Sequence, residues 1–337
     1  MPKVKLVRRA TFDNPFVMVD GLTRTGKSML GPILASFERV EIERVEEKFE
    51  FVGGLARLGL LNRHAAISLL RLDADILLYN GLIGRNTNFR YGDHSGVMNY
   101  PSPRVYYERL TQPEGQDVVR RIQEGKPIFQ NQTHDQLMNF RLFHDAFGSR
   151  LRMIQMLRHP VDLIDSWYRR GWGTRFGNDP TAFTHCIEFE GQDLPYYAAG
   201  WEHEYRRASS IGRVVRMIAR LMSACRDEYK MLTQTQRGQI YFLRYDDFVV
   251  DPWPYVESVA GFLGTVVSDF TTDTVRRERC PRPAPTEKRA ELSGRILSQL
   301  DSYEVVLVRD LQQHYEAMVS GIALPFHTVP VTAVQAA

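Results

Sequence analysis

The sequence predicts an α/β protein of three layers, a parallel β-sheet bearing a phosphate-binding glycine loop (P-loop) with helices on both faces. Three observations carry this expectation. Residues 15–21 (PFVMVDG) form a continuous apolar run that stops on glycine, the pattern of a parallel strand buried on both faces. Residues 21–28 (GLTRTGKS) follow at once and fit G-x-x-x-x-G-K-[ST] in the strand–loop–helix context that motif requires. Further along, short apolar runs alternate with stretches of helical periodicity, which argues for βαβ units.

The elements follow in order. Residues 27–38 place Met29, Leu30, Ile33, Leu34 and Phe37 at helical spacing, and residues 40–45 read as a short second strand. Residues 54–78 read as two helices broken near Asn62. Residues 81–113 are polar and rich in glycine and aromatic side chains, too long for a plain connection and suited to a lid. Residues 127–132 (PIFQNQ) and 151–157 (LRMIQML) read as strands, with a helix over 135–147 between them and another through 165–169. Residues 173–200 form a second loop region. A long helix is expected over 202–232, a strong strand over 239–248, a helix over 255–263, a basic loop over 276–289 and a closing helix over 293–318. No linker or repeat interrupts the pattern, so residues 1–337 are expected to form one domain with inserted loops and a loose tail at 325–337.

Composition narrows the function classes. Hydrophobic residues make up 43% and charged residues 25% of 337, as in soluble globular proteins. The net charge of +3 is too small to argue for nucleic acid as a partner. No apolar run reaches the ~18 residues of a membrane span. Cys186, Cys225 and Cys280 form no C-x-x-C pair, which argues against a zinc site and fits a reducing, cytoplasmic setting.

The glycine loop is built to hold an anion. Gly21 and Gly26 allow the backbone to turn tightly and aim N–H groups inward, and the helix N-terminus adds partial positive charge. Thr23, Arg24, Thr25, Lys27 and Ser28 supply cations and hydroxyls on the same loop. A second arrangement lies in Arg158-His-Pro160-Val-Asp-Leu-Ile-Asp-Ser166. An arginine ends a strand, proline opens a helix, and a serine stands roughly two turns in, so that Arg158 and Ser166 can converge on one anion.

With these residues the chain resembles the sulfotransferase family. Its members carry a 5′-phosphosulfate loop after the first strand and a strand-end R-x-P-x-x-x-x-x-S element for the 3′-phosphate of 3′-phosphoadenosine 5′-phosphosulfate (PAPS). Residues 243–252 (LRYDDFVVDP) and 259–264 (VAGFLG) are similar to the family's "RYEDL…DP…FLG" segment. The loop departs from the common K-[ST]-G-[TS]-[ST]: Arg24 stands where lysine is usual, and Lys27 replaces a hydroxyl residue. The resemblance implies PAPS as co-substrate without a required metal. Arg24 and Lys27 would neutralise the leaving nucleotide. His134, in Gln132-Thr133-His134, is similar to the K-[ST]-H element bearing the family's catalytic histidine. Other branches use a glutamate here, which makes Glu47 the reserve base, with Glu43 and Glu46 in the same stretch. The acceptor is expected to be a hydroxyl or amine on a sugar, lipid or small molecule. Its identity stays open, as do the oligomeric state and the role of the basic loop 276–289. A P-loop kinase using ATP and a non-catalytic nucleotide-binding protein are the alternatives.

Overall fold

A computed structural model describes residues 4–319; the expected tail at 325–337 lies outside them. The strands are β1 (Phe16–Asp20), β2 (Phe129–Gln132), β3 (Leu151–Leu157), β4 (Cys186–Phe189), β5 (Gln192–Pro195) and β6 (Ile240–Arg244). The main sheet runs β2-β1-β3-β6 and is parallel throughout, as the sequence predicts. Helices pack on both faces because the strands are apolar on both. Phe16 and Met18 of β1 join Phe129, Leu151 and Met153 in one core, while Val17 and Val19 join Ile154, Met156 and Leu243 in the other. From β1 the chain goes to β2 on one side and then to β3 on the other. The sheet's switch point therefore lies at the carboxyl end of β1, where open α/β sheets bind ligands.

Several elements differ from expectation, each for a local reason. Residues 40–45 run beside β2, but pair only as bridges at Val40–Ile128 and Arg44–Asn131. On their outer side the Ile42 and Glu43 amides donate to the hydroxyls of Tyr106 and Tyr100, each at 2.9 Å. Two tyrosines thus satisfy an edge that would otherwise present bare N–H groups. With the Arg109–Glu41 ion pair they bolt the 81–113 segment onto the sheet, and the aromatic residues expected in a lid are partly core: Tyr100 and Tyr106 are buried with Val97 and Ile42.

The strand expected over 239–248 ends at Arg244 and gives way to helix Tyr245–Val250, with Asp246 and Asp247 in its first turn, where negative charge is favoured. The helix expected over 202–232 is two, Glu202–Arg207 and Ser210–Lys230, because the Ser209 side chain accepts from the Gly212 amide and caps the second. The closing helix is likewise two, Arg289–Leu297 and Ser302–Val319. Asp301 accepts from the Glu304 amide at 2.8 Å while its own amide donates back to the Glu304 carboxylate. The loop region 173–200 contains the β4–β5 hairpin.

Candidate functional site

The glycine loop leaves β1 at its carboxyl end. Gly21 (φ 139°), Arg24 (φ 74°) and Gly26 (φ 101°) take positive φ, a conformation costly for residues with a Cβ. Gly26 is doubly constrained, because a Cβ there would lie 2.5 Å from the Tyr245 ring. The loop is held from within. Thr25 donates its hydroxyl to the Leu22 carbonyl at 2.8 Å, and the Lys27 ammonium donates to the carbonyls of Gly21 at 2.6 Å and Leu22 at 3.0 Å. Lys27 is only 3% exposed. Burial pulls its pKa below the usual lysine range, opposed by Asp20, Asp135, Glu50 and Glu43. Ser28 is exposed, and its carbonyl meets the His94 ring from the 81–113 segment.

The strand-end arginine comes to this loop. Arg158 donates through Nη1 to the Arg24 carbonyl at 2.7 Å, and Arg24 Nε lies 3.4 Å from the Ser166 hydroxyl. Trp167, next to Ser166 on helix Pro160–Arg169, donates to the Thr23 carbonyl at 2.8 Å. Among the described residues neither Arg24 nor Arg158 has a carboxylate partner, and the Arg158 Nε is buried without any acceptor. Burial lowers the Arg24 pKa, and the nearby Arg170 and Arg158 lower it further. Cations crowded together without acids call for an anion.

Tyr245, not singled out in the sequence, and Arg282 of the basic loop 276–289 complete this face. The Tyr245 ring lies between guanidiniums, with Arg158 5.0 Å and Arg282 5.7 Å from its centroid, and Arg282 also donates to its hydroxyl at 3.0 Å. Arg282 is thus the member of the basic loop that returns to the glycine loop. Arg289 does not. It is tied to Asp162 at 2.6 Å and Asp246 at 2.7 Å, and Arg276 pairs with Asp273.

On the other side of the loop lies a cavity of about 250 Å³. Thr23, Glu47, Glu50, His134 and Asp135 line it, with aromatic walls from Phe51, Trp172, Phe176, Phe183, Tyr196 and Tyr197. His134 Nδ1 lies 2.8 Å from Glu50 Oε1, which also accepts the His134 amide at 2.9 Å. Asp20 connects the two sides. Its carboxylate is fully buried and accepts from the Thr133 hydroxyl and from the amides of Gln136 and Leu137, so the residues flanking His134 are fastened to the end of β1.

The structure separates the three glutamates. Glu47 lines the cavity, while Glu46 donates its amide to Asn131 and leans toward Lys48. Glu43 is buried behind the loop, its carboxylate against Gly31, where a Cβ would come within 2.4 Å of it. Glu43 Oε1 has no partner, and burial raises its pKa from 4.5 to about 8 despite Lys27 nearby. Between those two values the folded chain keeps a proton that the unfolded chain has lost, so stability falls as pH rises through that window. Glu43→Gln, a shape-matched mimic of the protonated acid, is expected to melt like wild type near pH 5. Near pH 9 it should be more stable than wild type, by on the order of a few kcal/mol. Melting curves across that range check this; equal curves at both ends would show that Glu43 is not held protonated.

Comparison with known proteins adds three findings. The family described as Sulfotransferase domain matches residues 15–280. No curated protein sequence matches the chain. Among solved structures, the sulfotransferase domain of the Synechococcus PCC 7002 olefin synthase is 13% identical with a TM-score of 0.47, over 93% of this chain and 98% of that one. A sulfotransferase from Alicyclobacillus acidocaldarius is 16% identical with a TM-score of 0.36, over 91% and 97%.

Proposed function

The chain belongs to the sulfotransferase family and is an enzyme that transfers sulfuryl groups, and from that premise we propose that its donor is PAPS and its acceptor a hydroxyl or amine held in the aromatic-walled cavity. The observation that carries the reading is the Arg158 guanidinium lying on the main chain of the glycine loop, with Ser166 beside Arg24. Two cationic cradles then share one cleft, the loop amides with Arg24 for the 5′-phosphosulfate and Arg158 with Ser166 for the 3′-phosphate. The orphaned Arg158 Nε and the unpaired guanidiniums support an occupant with several negative oxygens.

In this reading the acceptor oxygen or nitrogen attacks sulfur in line, and a new bond to sulfur forms as the bond from sulfur to the 5′-phosphate oxygen breaks. The electron pair leaves with that oxygen, and Arg24 neutralises it. Lys27 spends two of its three ammonium hydrogens on the Gly21 and Leu22 carbonyls, stiffening the loop, which leaves one for the donor's bridging oxygen. His134 takes the acceptor's proton on Nε2, and Glu47 at the same cavity is the reserve base. The cavity's rings suit an acceptor with a flat or cyclic body, such as a sugar or phenol. Fixed cations suffice for the charge, so the reading requires no metal. A cytoplasmic setting belongs to it too, supported by Cys186, Cys225 and Cys280 standing free. Among the described residues no helix is long and apolar enough to cross a membrane.

A kinase would want an acid at a strand end to hold magnesium. The acids after β6 are already engaged, Asp246 by Arg289 and Asp247 by Arg244 and the Tyr255 hydroxyl. The test is a thermal shift. 3′-Phosphoadenosine 5′-phosphate at a hundred times its Kd is expected to stabilise the protein by about 2.7 kcal/mol without magnesium. Stabilisation by ATP–magnesium alone overturns the assignment.

A further inference from the structure

We propose that Glu50 is the positioning residue for His134, fixing which imidazole nitrogen faces the acceptor. The proposal rests on the sulfuryl-transfer reading only for its catalytic consequence; the geometry stands without it.

Glu50 lies in the first turn of helix Lys48–Arg57, where a negative charge is favoured by the helix dipole alone. A purely structural carboxylate there would turn to its own helix. Instead Glu50 Oε1 reaches across the cavity floor to His134, 2.9 Å from its amide and 2.8 Å from Nδ1. A carboxylate has no hydrogen to give, so the shared proton sits on Nδ1, which in the neutral ring leaves the lone pair on Nε2. Among the described residues Nε2 makes no hydrogen bond, and the His134 ring lines the cavity.

The backbone around the ring is equally constrained. The His134 carbonyl accepts from the Gln136 side chain at 2.8 Å, Asp135 takes the left-handed conformation (φ 62°), and Asp20 holds the amides just beyond. A ring pinned at its amide, its carbonyl and Nδ1 has one free polar atom. This is the arrangement by which a third group orients a base and stabilises the imidazolium that forms when it takes a proton. The other charged and titratable groups around the same cavity are Glu47, Asp135, Arg175 and His185, with Lys27 beneath. Of these, none is bonded to the His134 ring among the described residues.

Free histidine favours the Nε2–H tautomer, so a fixed Nδ1–H form needs a cause. Nitrogen-15 spectra of the histidine-labelled full chain, with the His134 signal identified by its absence in His134→Ala, are expected to show Nδ1–H in wild type. Glu50→Gln should move the population toward Nε2–H. In turnover assays Glu50→Gln should lower kcat by roughly 10–10²-fold, with KM for the nucleotide changed by less than about twofold. Glu50→Asp, which keeps the charge and the first-turn acid, should recover part of both effects and guards against a Gln variant that does not fold. In a His134→Ala background Glu50→Gln should cost nothing further.

A wild-type Nε2–H ring overturns the proposal, as does a Glu50→Gln protein with an unmoved tautomer and undiminished kcat, or losses that multiply in the double variant. If the tautomer responds as expected while wild type transfers no sulfate to any acceptor, the positioning role stands and the proposed function falls.

Discussion

Arg158→Ala is expected to raise the Kd for 3′-phosphoadenosine 5′-phosphate by roughly 10²-fold. The side chain does two things at once. It braces the glycine loop through the Arg24 carbonyl, and it stacks its guanidinium on Tyr245 while leaving Nε unspent. Hydrogen bonds to charged groups contribute about 1.5–3 kcal/mol, and about 2.7 kcal/mol is a hundredfold in affinity. Arg158→Lys should recover only part of this, since lysine keeps the charge but not the planar fork or the stacking. Calorimetric titration at two salt concentrations measures both variants. A Kd within about threefold of wild type for Arg158→Ala would remove the 3′-phosphate cradle from the proposal.

His134→Ala is expected to leave that Kd unchanged and to lower kcat by roughly 10²–10⁴-fold, the range for a general base. The separation follows from geometry. His134 lines the aromatic-walled cavity, while Arg24, Arg158 and Ser166 meet one another outside its lining. Labelled-donor assays against a panel of hydroxyl and amine acceptors give the rate, and titration gives the affinity. Undiminished turnover would pass the role to Glu47, which lines the same cavity.

The sheet was legible because parallel strands buried on both faces leave unbroken apolar runs, as in FVMVD and LRMIQML. Legibility failed where a single polar side chain decided the outcome. Ser209 and Asp301 break helices whose apolar periodicity continues through them. Helix Gln116–Gly125 escaped notice because only Val118 and Ile122 are buried on it, too few to set a period. At the site, motif spacing pointed Arg158 and Ser166 toward the glycine loop, since strand end and helix start are local features. Tyr245 and Glu50 were invisible as site residues because their partners are distant in sequence: Glu50 meets His134 from 84 residues away. Arg289 stands in the basic run 276–289, whose role the sequence leaves open. Its real partners, Asp162 and Asp246, are acids that only folding brings near.

Asp20 has a consequence for how substrates are chosen. Its carboxylate, on the residue from which the glycine loop leaves β1, is the anchor of the turn that carries His134. In the proposed reaction the spacing from donor to proton acceptor is therefore fixed by the fold itself. On that reading an acceptor too deep or too shallow for the gap is not brought into line for transfer. Selectivity then becomes a matter of reach, and enlarging the aromatic walls should widen the range of molecules admitted without moving the place where they react.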